Sequence, residues 1–289
     1  MSYLIAENLE QALTMLQEAG KGSRIIAGAT DLFLQELPAN LIDINAVPEM
    51  LVISETEYSL EIGAAVTHTT ASQSSLICAK ATALAEASAQ VGSPQIRNIG
   101  TIGGNVVNAA PAADAAVALV ALGAKAVIIN SKKIMREEPV ENLYRHYNQS
   151  TIESGKEMII KFMIENNAGI LGSAFLRFAA RQSLCLPMVN AAAWVNIEND
   201  LLKEVRLVLA PVKPAPTRLK ETEKRLIGAP LTAETWRLAG DAATEEVTVR
   251  GSLLRCSAQY RRHLVGVLAE RVIAKAVKAA CERKEGEQR

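Results

Sequence analysis

Apolar side chains recur at Leu9, Ala12, Leu13, Leu16 and Ala19, a spacing that gathers them on one face of a helix over residues 8 to 20. Asn8 followed by Gln11 has the form of a capping box, and Gly20 suits the C-terminal cap. The period then changes. Arg24-Ile25-Ile26-Ala27 has strand character and stops at Gly28-Ala29-Thr30-Asp31, where small and polar residues turn the chain, so a small βαβ-like unit is expected. Leu41-Ile42-Asp43-Ile44, between Pro38 and Pro48, and Leu60-Glu61-Ile62-Gly63-Ala64 predict two further strands.

Residues 81 to 91 are Ala-rich and predict a helix that ends at Gly92-Ser93-Pro94, where a loop begins. From Arg97 to Asn108, glycines and asparagines surround isolated aliphatics, and the segment reads as loop. Asp114 precedes an unbroken apolar run and is expected to cap a buried helix, with a strand at Val127-Ile128-Ile129 after it. Met158 to Phe162 predicts another strand. The chain turns polar over residues 165 to 172, which places a domain boundary near residue 168. Ala191 to Val195 and Val205 to Leu209 predict antiparallel strands. The remainder is mainly helical, with a charged tail from Glu282 to Arg289 expected to fray.

Composition narrows the function classes. At 289 residues and 49% hydrophobic, the chain is long enough for roughly two domains and needs no disulfide staples. Lys plus Arg number 31 and Asp plus Glu 31, so no net field draws the molecule to nucleic acid or an anionic membrane, and a phosphate-bearing ligand must be gripped locally. Cys78, Cys185, Cys256 and Cys281 form no C-x-x-C pair, which argues against a zinc ribbon, an iron–sulfur cluster or a disulfide framework. The N-terminus lacks a signal-peptide pattern and no stretch reaches roughly 18 uninterrupted apolar residues, so a cytoplasmic protein is expected. His68, His146 and His263 lack metal-ligand spacing and are assigned surface or core roles; Arg177 and Arg181 read as a solvated face. No nucleophile elbow of the G-x-S-x-G kind is present.

Two glycine-containing segments remain. Ala27 to Asp31 follows a strand, and its successive N–H groups form a concave nest for phosphate oxygens, with Thr30 adding a hydroxyl. Thr101-Ile102-Gly103-Gly104-Asn105 offers the same materials. A net gain on the order of 0.5–1.5 kcal/mol per hydrogen bond means that a pyrophosphate wants donors from both, and two nests suit a dinucleotide. Neither segment is a G-x-G-x-x-G or P-loop fingerprint. On spacing alone a simple turn explains each loop as well, and Asp31 in a turn or Asp114 as a cap needs no ligand.

Ile25-Ile26-Ala27-Gly28-Ala29-Thr30-Asp31-Leu32, Ile96 to Asn105 and Pro111-Ala112-Ala113-Asp114 resemble the medium flavoprotein subunit of xanthine dehydrogenases and carbon monoxide dehydrogenases, the FAD-binding subunit of the molybdenum hydroxylase family. The resemblance extends through Ile62 to Thr67, Glu157 to Ile160, Phe175-Leu176-Arg177 with Arg181, and Ala215 to Gly228. It implies an α+β chain: a two-lobed FAD-binding domain (1–167, lobes about 1–55 and 56–167), then a smaller domain of antiparallel sheet with helices (168–289), the cofactor lying between domains. It implies FAD contacts from Ile25, Ile26, Ala27, Gly28, Ala29, Thr30, Asp31 and Leu32, from Thr101, Ile102, Gly103, Gly104 and Asn105, and from Asn108 and Asp114. Ile159 and Arg177 would lie near the flavin ring.

The implied activity is electron relay, with no catalytic acid or base on this chain. A large molybdenum-binding subunit would hold the molybdenum cofactor, an iron–sulfur subunit would hold 2Fe-2S clusters, and FAD would discharge to NAD or another acceptor such as ferredoxin or a quinone. Two residues depart from the family pattern: Ala29 replaces a second glycine, and Arg177 a lysine. Ala29 motivates the alternative of a non-redox assembly subunit that has lost flavin binding. A β-branched residue at Gly103 is expected to impair FAD retention by intruding where phosphate meets the backbone.

Overall fold

The first amphipathic helix forms where its spacing puts it. In the computed structural model, which describes residues 2–19, 22–252 and 255–287, β1 (Ser2–Ile5) leads into α1 (Leu9–Ala19), which buries Ala12, Leu13 and Leu16. Asn8 Oδ1 accepts from the Gln11 N–H at 2.9 Å, and Gln11 Oε1 accepts from the Glu7 N–H, one residue earlier than in a strict capping box. The expected cap at Gly20 lies outside the described residues. β2 (Ser23–Ile26) and β1 both pair in parallel with β3 (Asn40–Asp43), so the β1-α1-β2 crossover passes over the strand between them.

β4 (Ile53–Glu55) and β5 (Ser59–Gly63) begin a second sheet. Three helices follow: α2 (His68–Gln73), α3 (Ser75–Lys80) and α4 (Thr82–Ala89), the first two capped by the hydroxyls of Thr67 and Ser74. The loop expected after Gly92 is in fact two short helices, α5 (Pro94–Ile99) and α6 (Ile102–Val107). Capping overrides the glycine-rich composition. Pro94 stands where a missing N–H costs nothing, Ser93 accepts from the Ile96 N–H, and Thr101 accepts from the Gly104 N–H.

α7 (Asp114–Ala121) is buried along its whole length, yet its cap is Ala113; Asp114 is already helical and turns its carboxylate elsewhere. β6 (Lys125–Asn130), β7 (Met135–Pro139), the small hairpin β8 (Tyr144–His146) and β9 (Gln149–Ser150), and β10 (Glu157–Glu165) complete this part. The second sheet runs β4-β5-β10-β6-β7, antiparallel at every pairing, with a bulge in β10 between Ile159 and Lys161.

A third, antiparallel sheet contains β11 (Ile170–Phe178), β12 (Val189–Glu198), β13 (Leu201–Ala210) and β14 (Thr217–Arg218). β12 is buried at every position except Glu198, because both faces of the sheet are covered. Phe175, Ala192, Trp194 and Val208 join the core built around α4 and α7, while Ala174, Ala193, Val195 and Leu207 meet the C-terminal helices. Those helices are α8 (Lys220–Leu226), α9 (Ala233–Glu246) and α10 (Ala258–Glu287). α10 is helical as far as Glu287, so the charged tail expected from Glu282 onward continues the last helix over the described residues. No helix among the described residues is long and apolar enough to cross a membrane, and all four cysteines are free.

Candidate functional site

β2 ends at Ile26, and the chain turns through residues 27–31 into a single helical turn at Leu32–Leu34. Ala29 takes a left-handed conformation, φ +54°, and Asp31 a right-handed one. That alternation curls successive peptide planes toward one side. The N–H groups of Gly28, Ala29, Thr30 and Asp31 have no acceptor among the described residues. All four residues line an open cleft. Unpaired backbone donors demand a partner, and an anion best satisfies several converging ones.

The nest expected at Thr101 to Asn105 is not free. Ile102 donates to Val66 O at 2.9 Å, Gly103 to Ala64 O at 2.8 Å, Gly104 to Thr101 Oγ1 at 3.0 Å, and Asn105 to Thr101 O at 3.0 Å. What this segment gives the cleft is a surface: Gly104 is exposed there, with Thr101, Gly103, Asn105 and Asn108 beside it. Gly103 answers to packing, because a Cβ on it would stand 2.7 Å from Ala64 O. A side chain at 103 would therefore strike the second sheet before reaching a ligand.

Ile25 to Leu32 and Ile159 also line the cleft, as do Ala64, His68, Ile96, Glu157 and Met158. Ile102, Asp114 and Arg177 do not. Ile102 is fully buried in the core. Arg177 Nε lies 3.3 Å from Asp114 Oδ2 with both side chains under 9% exposed, Arg177 donates to Cys185 O, and Asn190 Nδ2 donates to Asp114 Oδ1 at 2.7 Å. Burial raises the Asp114 carboxyl to about 6, against the pull of Arg177 and then Asn190. Arg177 thus belongs to a buried ion pair rather than the solvated face expected of it. Arg181 donates to the carbonyls of Ser183 and Leu184 within its own loop.

His68 enters the cleft wall although no sequence signal marked it. The quoted run Ile62 to Thr67 stops one residue short, and a lone histidine carries no spacing pattern to read. Among the described residues no group of three or more His, Cys, Asp or Glu side chains is poised to hold a metal ion. The arrangement suits a phosphate-bearing ligand with an extended apolar portion, since Ile25, Ile96, Met158 and Ile159 wall the same space as the nest.

Residues 1–164 match the family model described as the FAD binding domain in molybdopterin dehydrogenase, and residues 174–276 match the CO dehydrogenase flavoprotein C-terminal domain. The chain is 32% identical to the alpha subunit of the 6-hydroxypseudooxynicotine dehydrogenase complex of Paenarthrobacter nicotinovorans, over 98% of this chain and 96% of that one. It is 28% identical to the xanthine dehydrogenase FAD-binding subunit of Escherichia coli O157:H7, over 96% and 97%. Among solved structures it is similar to the carbon monoxide dehydrogenase of Hydrogenophaga pseudoflava that lacks the Mo-pyranopterin moiety, with a TM-score of 0.87, 25% identity and 98% coverage of both chains.

Proposed function

The chain belongs to the family of FAD-binding subunits of molybdopterin dehydrogenases, and from that premise we propose that it relays electrons within a cytoplasmic molybdenum hydroxylase complex. It is an oxidoreductase subunit with an FAD-binding domain. The proposed relay takes electrons from the 2Fe-2S clusters of an iron–sulfur subunit, which receives them from a large molybdenum-binding subunit, and delivers them to NAD or another acceptor. FAD, when bound, supplies the ability to store two electrons and release them singly or together.

One observation carries the reading: the four unpaired N–H groups from Gly28 to Asp31, which line the same open cleft as the apolar wall of Ile96, Met158 and Ile159. These donors hold the diphosphate, and Thr30 adds a hydroxyl. Ile25 to Leu32, Thr101, Gly103, Gly104, Asn105, Asn108 and Ile159 form the proposed contact set. Gly104 lets the ligand approach the backbone, and Ile159 with Met158 presents an apolar wall that excludes water. Asp114 and Arg177 act from behind it, tying α7 to β11 and β12. The proposed domain division falls between residues 167 and 168, supported by the change of sheet between Glu165 and Ile170.

The assembly-subunit alternative rested on Ala29, and the left-handed backbone at Ala29 removes that ground, since the turn forms with a methyl group in place. The test is the absorption spectrum of the chain purified with its co-expressed partners, followed by release and identification of the cofactor. FAD bleached by substrate only when the partner subunits are present supports the relay. A colourless, intact complex overturns it.

A further inference from the structure

His68 opens α2, and its backbone N–H donates to Gly100 O at 3.0 Å. The residue is 2% exposed, yet it lines the cleft that contains the Gly28 to Asp31 nest. Its Cδ2 lies 3.4 Å from the point where a Cβ on Gly100 would stand, and Thr30 Oγ1 lies 3.7 Å from the same point. Imidazole, Gly100 and Thr30 are therefore neighbours at the edge of the nest.

Nδ1 is sealed from solvent with no hydrogen-bond partner, whereas Nε2 is the ring nitrogen left open, bonded to the Cδ2 that stands beside Gly100. Buried side-chain nitrogens in folded proteins nearly always have a partner, because desolvation without a bond is a pure loss. With Nδ1 closed off, a partner from outside the chain can reach the ring only at Nε2, on the side that lines the cleft. Burial, and after it the charge of Arg97, pushes the imidazole down to about 4, so the ring is neutral at physiological pH. A neutral imidazole has one N–H to donate and one nitrogen to accept.

We propose that His68 is a contact residue of the bound dinucleotide, donating an imidazole N–H to an oxygen of the diphosphate seated on the Gly28 to Asp31 nest. The proposal rests on the FAD reading above. The neighbours of the ring select the diphosphate over the rest of the ligand, since Gly100 and Thr30 border the nest rather than the apolar wall. A phosphate oxygen in this half-enclosed site accepts more strongly than a hydroxyl or a carbonyl would.

The full-length chain, stripped of flavin, is titrated with FAD and with ADP, which shares the diphosphate and lacks the flavin ring. His68→Leu is expected to bind both roughly 10- to 100-fold more weakly, and His68→Gln, which keeps an N–H, to recover part of the loss. Equal affinity of His68→Leu and wild type for FAD and ADP overturns the proposal. A wild-type chain that binds no FAD overturns the functional reading instead. Should His68→Leu not fold, nitrogen NMR of the wild-type histidines decides: an imidazole resonance of His68 that moves on adding ADP supports the contact, and an unmoved one overturns it.

Discussion

Gly28 and Gly100 meet with no room for a methyl group between them: a Cβ on Gly28 would stand 2.7 Å from the Gly100 Cα and 2.0 Å from the Ile99 carbonyl oxygen. The nest after β2 is thereby pressed against the junction of α5 and α6, and one small contact fixes the relative position of two cleft walls.

Gly28→Ala should therefore separate those walls. The clash is with backbone, which has no rotamer to escape into, so the expected cost is ~2 kcal/mol or more of stability together with loss of bound FAD. Gly22→Ala is the control, because a Cβ there meets nothing within 4 Å. Urea unfolding and flavin content of the two variants check this, and equal behaviour would sink the packing argument.

Ala29→Gly should act in the opposite direction. A left-handed backbone costs a non-glycine residue roughly 1–2 kcal/mol, and glycine's greater freedom in the unfolded chain returns part of that. The expected net effect is a stabilisation of about 0.5–1 kcal/mol, with flavin retained. A destabilised variant would mean that the Ala29 methyl has a packing role the backbone argument omits.

The two glycines of α6 should divide stability from binding. Gly103→Val drives a side chain into Ala64 and is expected to unfold the segment, whereas a Cβ on Gly104 meets only Thr101 Oγ1 at 2.9 Å and otherwise faces the cleft. Gly104→Val is therefore expected to lower FAD occupancy severalfold at a stability cost confined to the displaced Thr101 cap, about 0.5–2 kcal/mol. Calorimetric melting and the ratio of flavin to protein absorbance separate the two effects.

What was legible in the sequence follows from the range over which each signal acts. The α1 spacing and the apolar runs of β6, β10 and β12 are local statements about burial, and those elements formed where expected. α5 and α6 have the composition of a loop because their helical signal lies in the caps Ser93 and Thr101, while Gly103 and Gly104 weigh against helix. That Gly28 needed to be glycine was legible; that the reason is Ile99 was not, since the contact is tertiary. The same limit hid the Asp114–Arg177 pair, whose members read separately as a cap and a solvated face. His68 became visible only once Gly100 and Thr30 stood beside it.

The buried pair also sets a pH dependence. Asp114 keeps its proton in the folded chain up to about 6, against a usual value of 3.8. Below about 4 the carboxyl is protonated in both folded and unfolded chains and contributes nothing. Between these values the unfolded chain ionises while the folded one holds its proton, so folding stability falls as pH rises. Above about 6 both are ionised and the loss is constant. Asp114→Asn cannot ionise and presents Arg177 with a neutral side chain, as the protonated wild type does. Its stability relative to wild type is therefore expected to improve from pH 4 to pH 6 and then level off. Arg177→Met removes the charge that favours the Asp114 carboxylate, so it should extend the decline above pH 6 and cost ~3–5 kcal/mol at pH 7. Urea unfolding across pH 4 to 8 measures all three chains. A constant difference between Asp114→Asn and wild type over that range would show that the carboxyl ionises alike in the folded and unfolded chains, and that Arg177 offsets its burial in full.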